Sequence, residues 1–132
     1  MISASLILCD SAQAYEGKLS ILGGGWIWIK QGVPFGIGII VEVPWDRANS
    51  KLPTKLELLD EDGRNYCPDG SNPLVIHAEL EVGRPVGQLP GTSQRLPMAI
   101  NFQPLFSKPG RFIWKLSIAD FETQVSFDVV PA

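Results

Sequence analysis

Apolar and polar residues alternate with a period of two along most of this chain, the pattern of half-buried strands and not of helices. Ile2, Ala4, Leu6 and Leu8 share one face and predict a strand over Ile2–Cys9. Lys18–Gly23 repeats the pattern with Leu19 and Ile21, and Gly25–Lys30 reads as its continuation beyond a glycine kink. Asp10–Gly17, between them, reads as a loop. The longest apolar face is Phe35, Ile37, Ile39, Val41 and Val43, within a strand over Phe35–Pro44 whose other face carries Gly36, Gly38, Ile40 and Glu42. A hairpin centred on Gly32 then sets Trp28 opposite Gly36 and Trp26 opposite Gly38, two indoles over a glycine floor.

Pro44–Asn49 predicts a short helix or wide turn, because proline cannot continue a ladder. Lys55–Asp60, the turn Glu61-Asp62-Gly63 and Arg64–Cys67 read as a hairpin, with glycine accepting the positive φ that the turn demands. Leu74–Val82 follows, then an aperiodic loop over Gly83–Leu96, and loops of that length are often functional. The last strands are Met98–Gln103, Gly110–Ile118 and Thr123–Val130, the final two joined around Ala119-Asp120-Phe121. Pro109-Gly110-Arg111-Phe112 is placed to cross from one sheet to another. About eight strands are too many for one half-exposed sheet. The expected fold is all-β, a two-sheet antiparallel β-sandwich, jelly-roll-like or immunoglobulin-like, in one domain over residues 1–132.

Composition narrows the chemistry. With 45% hydrophobic and 19% charged residues the chain is not globally disordered, and the low charge hints at surface covered by a partner. A net charge of -3 with scattered Lys and Arg offers no basic footprint, so no nucleic-acid partner is expected. The apolar start Met1–Cys9 lacks a positive flank and stops at Asp10, which argues against a signal peptide or membrane span and for a cytoplasmic location. Cys9 and Cys67 form no metal or redox spacing and are read as buried free thiols.

Catalytic candidates are sparse. His77 is the one histidine, in a strand beside Glu79 and Glu81, and is read as solvent-facing. Gly23-Gly24-Gly25 lacks the Lys-Ser/Thr of a phosphate loop and precedes a strand, so it reads as a corner where backbone passes close to backbone. Asp60-Glu61-Asp62-Gly63, with Asp69 nearby, has the wrong spacing for a calcium hand. A scattered carboxylate site around Asp10, Asp46 or Asp60 is the weakest of the readings. No enzyme activity, cofactor or metal is expected.

Tryptophans are the remaining signal. Trp114 alternates with Phe112 and Leu116 as core, and Trp45 is placed to cover a sheet end. Trp26 and Trp28 share one face while Ile27 and Ile29 share the other, more apolar surface than a single core hides. With Arg84 and Pro85 of the long loop, Trp26, Trp28 and Trp45 are the candidate interface residues. The expected function is a non-catalytic protein-interaction or structural module that contacts itself or a larger assembly, such as a phage particle. The alternative is a small-ligand or carbohydrate-binding sandwich with Trp26 or Trp28 as platform.

Leu8-Cys9-Asp10-Ser11-Ala12-Gln13 and Gly17-Lys18-Leu19-Ser20-Ile21-Leu22-Gly23-Gly24-Gly25-Trp26 form a specific signature. Val41–Asn49, Leu56–Gly63, Glu81–Pro85 and Pro109–Phe112 add to it. On these residues the chain resembles a family of uncharacterised small bacterial and bacteriophage proteins. The resemblance implies a compact β domain and no particular chemistry.

Overall fold

A computed structural model describes residues 1–132. Ten strands and one short 3-10 turn make up the regular structure: β1 (Ser3–Cys9), β2 (Ser11–Tyr15), β3 (Lys18–Leu22), β4 (Trp28–Lys30), β5 (Phe35–Val43), the turn Trp45–Arg47, β6 (Leu52–Asp60), β7 (Val75–Leu80), β8 (Gln94–Phe102), β9 (Gly110–Ile118) and β10 (Phe121–Val130). No helix is long and apolar enough to cross a membrane.

The strands form three groups: a sheet in the order β1-β5-β8, a sheet in the order β4-β10-β9-β6-β7, and the separate hairpin β2-β3. All pairings are antiparallel except β4 on β10. The all-β expectation holds, with ten strands in place of about eight.

Period-two patterning builds the core as expected. Phe35, Ile37, Ile39, Val41 and Val43 of β5 are fully buried, and Ile2 and Leu8 join them from the β1 side. From the other sheet come Leu52, Leu56 and Leu58 of β6, Phe112, Trp114, Leu116 and Ile118 of β9, and Phe127 and Val129 of β10. One end is richly aromatic: Phe35 lies within 6.4 Å, centroid to centroid, of Trp26, Phe102, Phe106, Trp114 and Phe127. The outward face of the five-stranded sheet carries complementary ion pairs, Lys55–Glu57 at 3.2 Å, Lys115–Glu122 at 3.6 Å and Arg111–Asp128 at 2.9 Å.

Two expectations fail in the first third of the chain. Residues 10–17 are not a loop, because Ser11–Tyr15 pairs with Lys18–Leu22 around a turn at Glu16-Gly17. Nor do Trp26 and Trp28 cover Gly36 and Gly38, since β5 pairs with β1 and β8 while β4 pairs with β10 in the other sheet. The hairpin β2-β3 takes that place. A Cβ added at Gly38 would stand 2.9 Å from Ile21 Cδ1 and 3.1 Å from Leu19 Cδ2, so glycine there lets the hairpin lie flat on the outer face of the three-stranded sheet.

Asn101 of β8 holds that layer down. The Ala12 N–H donates to its Oδ1 at 2.9 Å and its Nδ2 donates to the Ala12 carbonyl at 2.8 Å, so the side-chain amide acts as one more strand residue. Beneath this clamp, a Cβ at Gly36 would stand 2.5 Å from Asn101 Oδ1. Cys9 is buried under the same layer, and burial pushes its thiol pKa up, helped by Asp10 and opposed by a hydrogen bond to the Gly38 backbone. Cys67 is only partly buried, a correction to the expectation of two buried thiols, and both cysteines are free.

The remaining differences are local. β8 begins at Gln94 and runs through Pro97, earlier than the expected start at Met98; proline is tolerated because β8 is an edge strand. Arg64–Cys67 returns through the single bridge Leu59–Asn65 instead of a full strand. Between β8 and β9 the chain does cross from the three-stranded to the five-stranded sheet, as the Pro109-Gly110 turn predicts.

Candidate functional site

Gly23-Gly24-Gly25 carries the chain from the outer hairpin to the edge of the five-stranded sheet. Gly23 and Gly25 have φ of 63° and 95°, and the Gly25 N–H donates to the Leu8 carbonyl at 2.8 Å. This is the close backbone corner expected from the sequence.

The corner shifts the alternation that follows. Trp26 turns inward and meets Phe35 and Phe127 edge-on, at 5.8 Å and 6.1 Å with interplanar angles of 78°. Its Nε1 is buried without a hydrogen-bond partner. Ile29 is buried, whereas Ile27 and Trp28 remain 68% and 56% exposed. The inward pair is therefore Trp26 with Ile29, not Trp26 with Trp28, and the expected shared tryptophan face is overturned. Strict alternation begins only where β4 joins the ladder, at Trp28.

Around the exposed indole lies an open groove of about 360 Å³ lined by Asp10, Trp26, Trp28, Ile29, Lys30 and Val33. Val33 is 41% exposed, so Ile27, Trp28 and Val33 leave apolar surface in water next to one acid and one base. Scattered single apolar residues need no explanation, but Trp28 and Val33 line one groove and Ile27 is exposed immediately before it, so an open sheet edge carries three exposed apolar side chains. Ile27, Val33 and Lys30 are not among the sequence candidates, and Asp10 is one only as a member of a scattered carboxylate site. The positive-φ demand at Gly25, invisible in the hydrophobic pattern, decides which side chains face out.

The other three candidates lie elsewhere. Trp28 is in register with Asp128 near the end of β10, while Arg47, two residues after Trp45, pairs with Asp120 just before that strand begins, so the two tryptophans belong to opposite ends of the sheet. There the Arg84 guanidinium carbon sits 4.3 Å from the centre of the Trp45 ring, and Arg84 Nε donates to the Trp45 carbonyl at 3.2 Å. Arg84 thus pins the start of the long loop over Trp45. Pro85 is exposed beside it, and Val86 and Leu89 stand exposed further along.

Polar candidates resolve into structural roles. Asp60 caps its own hairpin, its Oδ1 accepting the N–H groups of Asp62 and Arg64, each at 3.0 Å. Asp69 Oδ1 accepts from Asn72 N at 2.7 Å and Ser71 N at 2.8 Å, and these bonds pull the carboxyl pKa down to about 2. Asp10 lines the tryptophan groove, Asp60 lies at the β6 turn and Asp46 sits in the 3-10 turn. His77 is exposed on the charged face, opposite Lys55. No group of three or more His, Cys, Asp or Glu residues is arranged to hold a metal ion.

A family model described as a family of unknown function, DUF6941, matches residues 4–130. No curated protein matches the chain.

Proposed function

We infer that this chain, which belongs to the DUF6941 family, is a non-catalytic protein-binding sandwich that acts through the open edge at β4, contacting itself or a larger assembly. The observation that carries this reading is the exposure of Ile27, Trp28 and Val33 around a strand paired on one side only. Water-exposed indole surface is costly, and a large aromatic beside an unpaired edge is what binding surfaces use as an anchor. His77 on a solvated face and carboxylates engaged as turn caps support a role without chemistry. At the opposite end, Arg84 already occupies one side of Trp45, which favours the Trp28 end as the primary contact.

A photoreactive amino acid at position 28, compared with one at His77, tests this in the source cell. Position 28 is expected to yield discrete cross-linked protein species that position 77 does not. Equal yields at the two positions overturn the reading. Asp10 and Lys30 beside an exposed indole also suit a sugar, whose ring stacks while its hydroxyls hydrogen-bond. Glycan-array binding lost in Trp28→Ala would favour that second reading.

A further inference from the structure

β4 is the outermost strand of the five-stranded sheet. The Asp128 N–H donates to the Ile27 carbonyl at 2.9 Å and the Gln31 N–H to the Val130 carbonyl at 2.8 Å, so residues 27, 29 and 31 turn their backbone groups toward β10. Alternate residues of a strand point opposite ways, which leaves the N–H and C=O groups of Trp28 and Lys30 facing outward. Of these, only the Lys30 carbonyl has a local partner, the Val33 N–H at 3.3 Å, and it retains a second lone pair.

The side chains repeat this arrangement. Trp28 and Lys30 are exposed on the outward face of the sheet and Ile29 between them is buried. Lys30 belongs to none of the six ion pairs. A two-fold axis through Ile29 makes the segment complementary to itself: an antiparallel copy sets Trp28 opposite Lys30 and Lys30 opposite Trp28, both as directly hydrogen-bonded pairs. Each ammonium then meets an indole at cross-strand distance. A parallel copy would set lysine beside lysine, so charge selects the antiparallel register. Ile27, one step outside, comes opposite Gln31 of the second copy and loses part of its exposure.

We propose that two copies of this chain pair antiparallel along β4, merging their five-stranded sheets into one ten-stranded sheet closed by two Trp28–Lys30 contacts. The proposal rests on the reading of the β4 edge as a protein-binding surface. The occupant is a second copy because the one register that uses all the outward backbone groups also joins cation to indole twice.

Sedimentation equilibrium of the full chain up to about 500 µM, the range where small interfaces associate, provides the test. The wild type is expected to show a reversible monomer–dimer equilibrium. Trp28→Lys places lysine opposite lysine and weakens the dimer at least about 30-fold. Combining Trp28→Lys with Lys30→Trp exchanges the two partners and restores the dimer to within about threefold. Circular dichroism matching the wild type confirms that both exposed positions leave the fold intact. A monomer at every concentration, a dimer indifferent to Trp28→Lys, or a double variant that fails to recover overturns the proposal. A monomer whose position 28 still cross-links another protein overturns self-pairing alone and leaves the binding-surface reading standing; a monomer without such cross-links removes both.

Discussion

Single residues here are fixed by local hydrogen bonds that the hydrophobic pattern does not encode. Asp69 is the clearest case. Its carboxylate accepts the N–H groups of Asn72 and Ser71 and the Asn72 side-chain amide, all of which favour the charged form. The folded pKa is about 2, against about 3.9 in an unfolded chain. Because folding lowers this pKa, the turn's stabilisation is present above the unfolded value and is lost as pH falls through the folded one. An NMR titration should place the Asp69 midpoint near 2, with the Ser71 and Asn72 amide shifts moving in step; a midpoint near 3.9 would show that the turn does not form. In the sequence Asp69 stands out only as an acid near the Glu61-Asp62-Gly63 turn, because which oxygen accepts from which N–H depends on backbone geometry that only the fold supplies.

Elements differ in how far their own residues determine them. β9, Gly110–Ile118, has the bounds expected from alternation, because Phe112, Trp114, Leu116 and Ile118 all bury on one face and a Pro-Gly turn marks its start. β2, Ser11–Tyr15, carries only small or polar residues up to Tyr15, so its pattern was silent. It is a strand because β3 pairs with it and because Asn101, 89 positions away, bonds both backbone groups of Ala12. Asn101→Ala removes two hydrogen bonds worth about 0.5–1.5 kcal/mol each. Hydrogen exchange should quicken across residues 11–22 while β5 and β9 stay protected. Equal quickening throughout would mean that the hairpin is no separate layer and folds as part of the main core. β4 illustrates a different limit: alternation was visible, but the glycine corner shifted its phase, so the sharing of one face by Trp26 and Trp28 was misread.

Across the whole molecule, the sequence revealed the all-β class and the core, since burial of alternate residues needs no knowledge of which strand lies beside which. It did not reveal strand order. The aromatic cluster around Phe35 is where the two sheets meet, with Phe35 and Phe102 from one side and Phe112, Trp114 and Phe127 from the other. Trp26 touches that cluster and Trp28 does not, although a single residue separates them. Their truncations should therefore part company. Phe35→Ala should cost about 3–5 kcal/mol in urea unfolding, a large share of a typical domain's 5–15 kcal/mol. Trp28→Ala should stay within about 0.5 kcal/mol when measured at concentrations where the chain is monomeric. If Trp28→Ala instead cost several kcal/mol there, its indole would be part of the core, and the β4 edge would lose the exposed anchor on which a binding surface depends.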